Sequence, residues 1–253
     1  MIPYISTTGW QFGPFFVQSW GLLIALGVLV GAFAAGRYAK SRGLKPQIIW
    51  DAVVWVLLGA MVAGRLFHIV FYDLGYYLEN PFEVFAVWHG GLSIMGGFIG
   101  ALIVGVLFLC HKKVDVWRYA EAMVFGLPFG LFVGRIGCFL IHDHPGKVTD
   151  FILGVQYPDG LVRHDHGLYL SLNGLVMFLV FVGIVLAKKK IKRLVFIPTF
   201  LVWYGVVRFF LDFLRATDGV IIDERYLGLT PAQYVSLCMV LAGIWIFAKK
   251  PIK

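Results

Sequence analysis

The stretch Gly126-Leu127-Pro128-Phe129-Gly130-Leu131-Phe132-Val133-Gly134-Arg135-Ile136-Gly137-Cys138-Phe139-Leu140 decides how this chain is read. It is apolar enough to lie in a bilayer, yet it carries a guanidinium. A charge at membrane depth costs roughly 2.5–3.5 kcal/mol on insertion scales, so such a residue normally faces a polar cavity and performs a task there. Two further arginines interrupt apolar runs in the same way: Arg65 in Ala63-Gly64-Arg65-Leu66, and Arg208 in Val207-Arg208-Phe209. Their shared charge predicts an anionic ligand.

Composition agrees with membrane burial. The 253 residues are 60% hydrophobic and 14% charged, with a mean hydropathy of +0.83, whereas soluble domains carry about 25% charged residues. The length suits a single membrane-embedded domain over residues 1–253, without room for a second soluble one. The net charge of +8 does not imply nucleic acid, because the basic residues gather at the ends of apolar segments instead of forming a stripe. Cys110, Cys138 and Cys238 are isolated in or beside apolar runs and are expected as unpaired thiols. The amino-terminal residues lack a positive leader region, so the first apolar run is expected to be a retained span.

Seven segments are long and apolar enough to span: about 16–36, 50–71, 93–110, 118–141, 167–187, 195–214 and 231–248. Threading them in order puts fifteen of the 22 basic residues on one side, in the connections after spans 1, 3, 5 and 7. Positive residues mark the cytoplasmic face. The expected fold is therefore an all-α integral membrane protein with seven transmembrane helices, the N-terminus outside and the C-terminus cytoplasmic. Arg65, Arg135 and Arg208 then lie in the outward halves of their spans. Residues 72–92 are aromatic and without a basic residue, which predicts an interfacial arm. Residues 142–166 are polar and contain Pro145-Gly146 and Pro158-Asp159-Gly160, turn signals that predict a small outer, periplasmic cap.

Spacing sorts the candidate site residues. On a helix, Arg135 shares a face with Cys138, Phe139 and His142, and Gly134 and Gly137 beside it admit a close backbone or a lipid headgroup. Tyr204, Arg208, Asp212 and Arg215 form a second stripe in which two arginines face one carboxylate. The surplus positive charge suits phosphate, which guanidinium binds bidentately. Arg65 has His68 and Asp73 nearby and reads equally as a ligand group or as a partner of Asp73. Gly90-Gly91 with Ser93 opens span 3, and either allows tight packing or offers backbone N–H groups to an anion. Two His-Asp-His triplets, 142–144 and 164–166, bracket the cap. Acid–base work, phosphate contact or loop structure suit them better than metal binding, since no third ligand spacing is met.

In order along the chain, these features resemble the prolipoprotein diacylglyceryl transferase family. The resemblance covers almost the whole sequence: Trp20 to Leu22, Gly64-Arg65, Gly90 to Gly97, Gly134-Arg135-Ile136-Gly137 with Gly146 beyond, Arg163-His164 with Leu168-Tyr169, Tyr204-Gly205 with Arg208 and Arg215, and Leu229-Thr230 with Gln233. It implies a bacterial inner-membrane enzyme that moves a diacylglyceryl group from phosphatidylglycerol to the lipobox cysteine of a prolipoprotein signal peptide, with membrane lipids as further partners and no cofactor or metal. It also implies that Arg135 holds the headgroup and that Arg208 is needed for activity. The base is expected to be His142, favoured because it shares a helix face with Arg135, with His144, His89 or the arginine field alone as the alternatives. Gly134, Gly137, Gly146, Tyr204, Gly90, Gly91, Ser93, Arg215, Arg65 and His144 are expected around the substrate. Where the family usually has asparagine, histidine and glutamate, this chain has Cys138, Met95 and Leu170. A lipid-binding relative without turnover and an anion transporter are the alternative readings.

Overall fold

The computed structural model describes residues 1–86, 89–143, 145–187, 194–216 and 225–249. The chain divides into two compact units, residues 1–38 with 120–253, and residues 39–119. Among the described residues six helices are long and apolar enough to cross a membrane. They are α1 (Ser19–Ser41), α2 (Pro46–Phe71), α5 (Val116–Ile141), α6 (His166–Ala187), α7 (Phe196–Leu211, continued by a 3-10 turn to Leu214) and α8 (Pro231–Ala248). The segment expected as a third span forms the apolar helix α4 (Ile94–His111), whose described stretch Met95–His111 falls just short of the length of those six.

In the first unit, bare backbone sets how closely α1 and α5 pack. A Cβ on Gly126 would stand 2.1 Å from the Gly31 carbonyl oxygen, and one on Gly27 would stand 2.6 Å from that of Gly130. Pairing Gly27 and Gly31 with Gly130 and Gly126 makes the two helices antiparallel, the small-residue contact that lipid-embedded helices rely on. Farther along, Tyr38 stacks on Phe125 at 4.5 Å between ring centroids, and Phe196 meets Phe125 and Phe181 at 5.2 and 4.7 Å. There the start of α7 is held by Glu121 of α5. Its carboxylate accepts from the backbone N–H groups of Val195, Phe196 and Ile197 at 2.5, 2.6 and 2.9 Å, the donors that a helix start leaves unpaired.

At the other end of these helices the expected cap is a small β structure. Strands β4 (Pro145–Val148), β5 (Val155–Gln156) and β6 (Val162–Asp165) join β1 (Ile2–Pro3) in a sheet of order β1-β5-β6-β4. β1 runs parallel to β5, and the other pairs are antiparallel. The outer edge of β4 bridges to Arg215 through Gly146. A hairpin of β2 (Gly9–Phe12) and β3 (Phe15–Gln18) precedes α1. These strands add β structure to the expected all-α body. They were hidden because runs of two to four residues are too short to show an alternating pattern.

In the second unit α2 and α4 run antiparallel, with Gly96 close to Ala63 and Gly100 close to Gly59. The arm between them is a short helix, α3 (Leu74–Glu79), and a 3-10 turn at Pro81–Phe85. Leu78, Phe82 and Phe85 stand exposed on it, as suits an element that meets lipid.

Candidate functional site

The ends of α5, α6, α7 and α8 nearest the sheet bring the second arginine stripe together. One carboxylate oxygen of Asp212 lies 3.0 Å from Nη2 of Arg208 and 3.2 Å from Nε of Arg215. The spacing of four and three residues places both arginines over one carboxylate. Asp212 is fully buried, and its other oxygen accepts the hydroxyl of Thr230. Thr230 caps α8 in a reciprocal box with Gln233: the Gln233 amide N–H donates to the threonine oxygen at 3.3 Å, and the Gln233 side-chain oxygen accepts from the Thr230 N–H at 2.9 Å. The helix start thereby also favours the negative charge of Asp212.

Arg135 approaches this cluster from α5. Among the described residues its guanidinium donates to a single side chain, Cys138, at 3.7 Å to the sulfur, and makes no ion pair. The charges and dipoles whose fields it feels include Tyr204 and Asp143, and its own field reaches Arg215. Burial, then the neighbouring Arg208, lowers the Arg215 guanidinium to about 10, so it remains cationic at neutral pH. Arg208 and Arg215 thus share the Asp212 carboxylate while Arg135 and Asp143 lie within the field of Arg215, a concentration of guanidinium groups of the kind that suits a phosphate.

The flanking glycines divide by what they touch. Gly137 lies against α1, where a Cβ would meet Trp20 and Leu23 at 3.2 Å, whereas at Gly134 the nearest atom is 3.9 Å away. Gly146 has no room for a side chain, with His164 at 2.6 Å and the Leu214 carbonyl at 2.7 Å. Its part is to seat Arg215 against β4.

Several expectations are corrected. Arg65 is a structural anchor and not a ligand group, because all its donors are taken by backbone carbonyls. Nε donates to Val84 at 3.2 Å, Nη1 to Gly90 and, at 3.0 Å, to Gly91, and Nη2 to Glu83 at 2.5 Å and Ala86 at 3.2 Å. The Tyr77 ring covers the guanidinium at 5.1 Å, and the residue is 4% exposed. Asp73 pairs instead with His68 at 3.0 Å. Gly90 and Gly91 have φ of +88° and +71°, values that glycine adopts readily, and these turn their carbonyls toward Arg65. Ser93 caps α4 while its own N–H donates to the Gly64 carbonyl at 3.0 Å. This glycine segment therefore turns two of its carbonyls to a cation.

His142 is not on the face of Arg135. Helix α5 ends at Ile141, and His142 turns to φ +48°. Its ring is enclosed, with Nδ1 2.7 Å from Asp165, Nε2 3.3 Å from the Ile5 carbonyl, and the Tyr4 ring stacked at 4.1 Å. Asp165 also accepts from the Tyr157 hydroxyl at 3.1 Å and from the Leu168 N–H at 2.9 Å. Burial, then Asp165, pushes the Tyr157 hydroxyl well above its ordinary value, which keeps it a donor. This network ties the amino terminus and sheet to α6, and it occupies both nitrogens expected of a base. The two His-Asp-His triplets disperse: His164 meets the Tyr169 hydroxyl at 2.8 Å, and His166 meets the Leu211 carbonyl. His144 lies outside the described residues. The sequence missed Thr230 as the partner of Asp212, although it had marked Leu229-Thr230 and Gln233 as a unit.

Comparison with known proteins fits this geometry. A family model described as prolipoprotein diacylglyceryl transferase matches residues 8–249. A phosphatidylglycerol–prolipoprotein diacylglyceryl transferase of Solidesulfovibrio magneticus is 35% identical over 98% of this chain and 96% of its own length. Proteins of the same name from Mesorhizobium japonicum and Francisella tularensis are 33% and 35% identical, covering 99% and 95% of the chain and 93% and 91% of their own lengths. With matches of this extent, the chain belongs to the prolipoprotein diacylglyceryl transferase family.

Proposed function

We propose that this protein transfers the diacylglyceryl group of phosphatidylglycerol to the cysteine thiol of a prolipoprotein signal peptide. The observation that carries the reading is the pairing of Arg208 and Arg215 on the buried carboxylate of Asp212, with Arg135 close enough for its field to reach Arg215. The names of its relatives point to the same two substrates. The thiol loses its proton, the sulfur bonds to the glyceryl carbon that carries the phosphate ester, and the carbon–oxygen bond breaks to release glycerol phosphate. Charge develops on the departing oxygen. Fixed guanidinium groups in a site that excludes water stabilise such charge strongly. Arg135, with its open donors, holds the phosphate; Arg208 and Arg215 face the leaving oxygen, with Tyr204 at the rim.

In this reading all seven apolar helices cross a bacterial inner membrane, with the N-terminus and the arginine site on the outer side, where secreted precursors arrive. The charge asymmetry of the connections supports that orientation. The test is incubation with phosphatidylglycerol vesicles and a lipobox peptide, followed by mass analysis. A diacylglyceryl adduct on the cysteine is expected from the wild type and not from Arg135→Ala. Binding of the lipid without any adduct from the wild type would instead identify a lipid-binding relative.

A further inference from the structure

His166 is a buried titratable group that the mechanism above leaves without a part. It opens α6, is 2% exposed, and lies 2.8 Å through Nε2 from the Leu211 carbonyl. A carbonyl only accepts, so Nε2 carries the hydrogen and, in the neutral ring, Nδ1 presents its lone pair. No donor among the described residues reaches Nδ1. A buried acceptor left without a donor loses its hydration without compensation. Such groups are rare enough in native proteins to require a reason, a catalytic role among them.

Its surroundings supply the reason. The next residue, Gly167, packs so tightly on α5 that a Cβ there would stand 2.5 Å from the Phe139 nitrogen and 2.9 Å from the Cys138 carbonyl carbon. That is the turn that follows Arg135. On its other side Leu211 leads into Asp212, and the charged groups whose fields reach His166 are Arg215, Arg208 and Asp212. From α5 the packed turn presents Arg135 and Cys138, and Asp165 beside it in the chain is held by His142, Tyr157 and the Leu168 N–H. His166 thus stands beside Arg208, Asp212 and Arg215, one residue from the contact with the turn that follows Arg135, with one acceptor nitrogen unused among the described residues. The position before the second glycine pair, meanwhile, is Met95, whose thioether cannot take up a proton at neutral pH.

We propose that His166 Nδ1 accepts the proton of the incoming cysteine thiol. The assignment rests on the transferase reading. The S–H proton moves to Nδ1 while the sulfur bonds to the glyceryl carbon and the carbon–oxygen bond to phosphate breaks, its electron pair leaving with glycerol phosphate. The proton then passes from His166 to the departing phosphate or to water.

The test compares wild type with His166→Gln, which keeps an N–H for the Leu211 carbonyl and removes the acceptor nitrogen. Both proteins are assayed with phosphatidylglycerol vesicles and with two lipobox peptides, one carrying cysteine and the other selenocysteine, whose selenol is already ionised at neutral pH. A positioned base contributes about 10²–10⁴-fold, so kcat of the variant on the cysteine peptide is expected to fall by about that factor at neutral pH, with the KM for phosphatidylglycerol little changed. The selenocysteine peptide should recover most of the loss, because it needs no base. The ratio of the two peptides within one protein does not depend on how much of it folds. Wild-type kcat of the variant on cysteine, or an equal loss on both peptides, overturns the assignment. If the wild type modifies neither peptide, the transferase reading fails and this assignment fails with it.

Discussion

Arg65 and Arg135 look alike in the sequence, each in an apolar run beside a glycine, yet they are opposite in use. The first has five carbonyls for its donors; the second donates to one sulfur among the described residues. Lysine keeps the charge but loses the planar fork, so the two Arg→Lys variants should separate these uses. Arg135→Lys is expected to lose about 10²–10³ in kcat, the usual cost of one preorganised donor, with an unchanged melting temperature. Arg65→Lys should instead leave several buried carbonyls unsatisfied, at about 1–3 kcal/mol each. It should melt earlier, and limited proteolysis should cut it within the arm. Matching losses of activity and stability in both variants would erase the distinction. The sequence could not draw it, because an arginine's partners were backbone carbonyls, which every residue carries and no side-chain pattern announces. The stripe of Arg208, Asp212 and Arg215 was legible for the converse reason: its partners share one helix and obey helical spacing.

At the scale of elements, five of the seven apolar segments were legible to within two residues, whereas α1 runs five residues past its expected end and α2 starts four residues before its expected start. Their boundaries follow from the need to match the apolar core of a bilayer. What escaped was the joinery at their ends. Glu121, buried in the first turns of α5 at 3% exposure, holds the start of α7 across 74–76 residues of sequence, a partnership that local spacing cannot reveal. Glu121→Ala removes an acceptor for three backbone donors, each charge-assisted bond contributing about 1.5–3 kcal/mol. The variant should show a clearly lower melting temperature in detergent, and Glu121→Gln a smaller drop because one carbonyl oxygen remains. An unchanged melting curve for the alanine variant would mean that α7 begins without this cap. The end of α5 was misjudged for a similar reason. Extending the helical wheel to His142 assumed that the helix continued, whereas Asp165 and the Ile5 carbonyl hold that ring from outside it.

For the whole molecule, the charge pattern of the connections commits to sides. With Cys110 and Cys238 replaced by serine and only the buried Cys138 kept, a cysteine introduced at Asp150 in the sheet region should react with an impermeant maleimide on spheroplasts. One at Lys113, in the connection after α4, should react only after the membrane is opened. Labelling of both from outside would remove the proposed topology and, with it, the outward placement of the arginine site. The number of crossings hangs on the same experiment, since the described stretch of α4, Met95–His111, falls short of the six spans.

The cage around Arg65 carries a consequence for acid conditions. Its five acceptors are carbonyls, and none of them gains a proton as a medium turns sour. A latch made of a carboxylate would lose its charge in strong acid. The arm therefore keeps its hold on α2 as the medium acidifies.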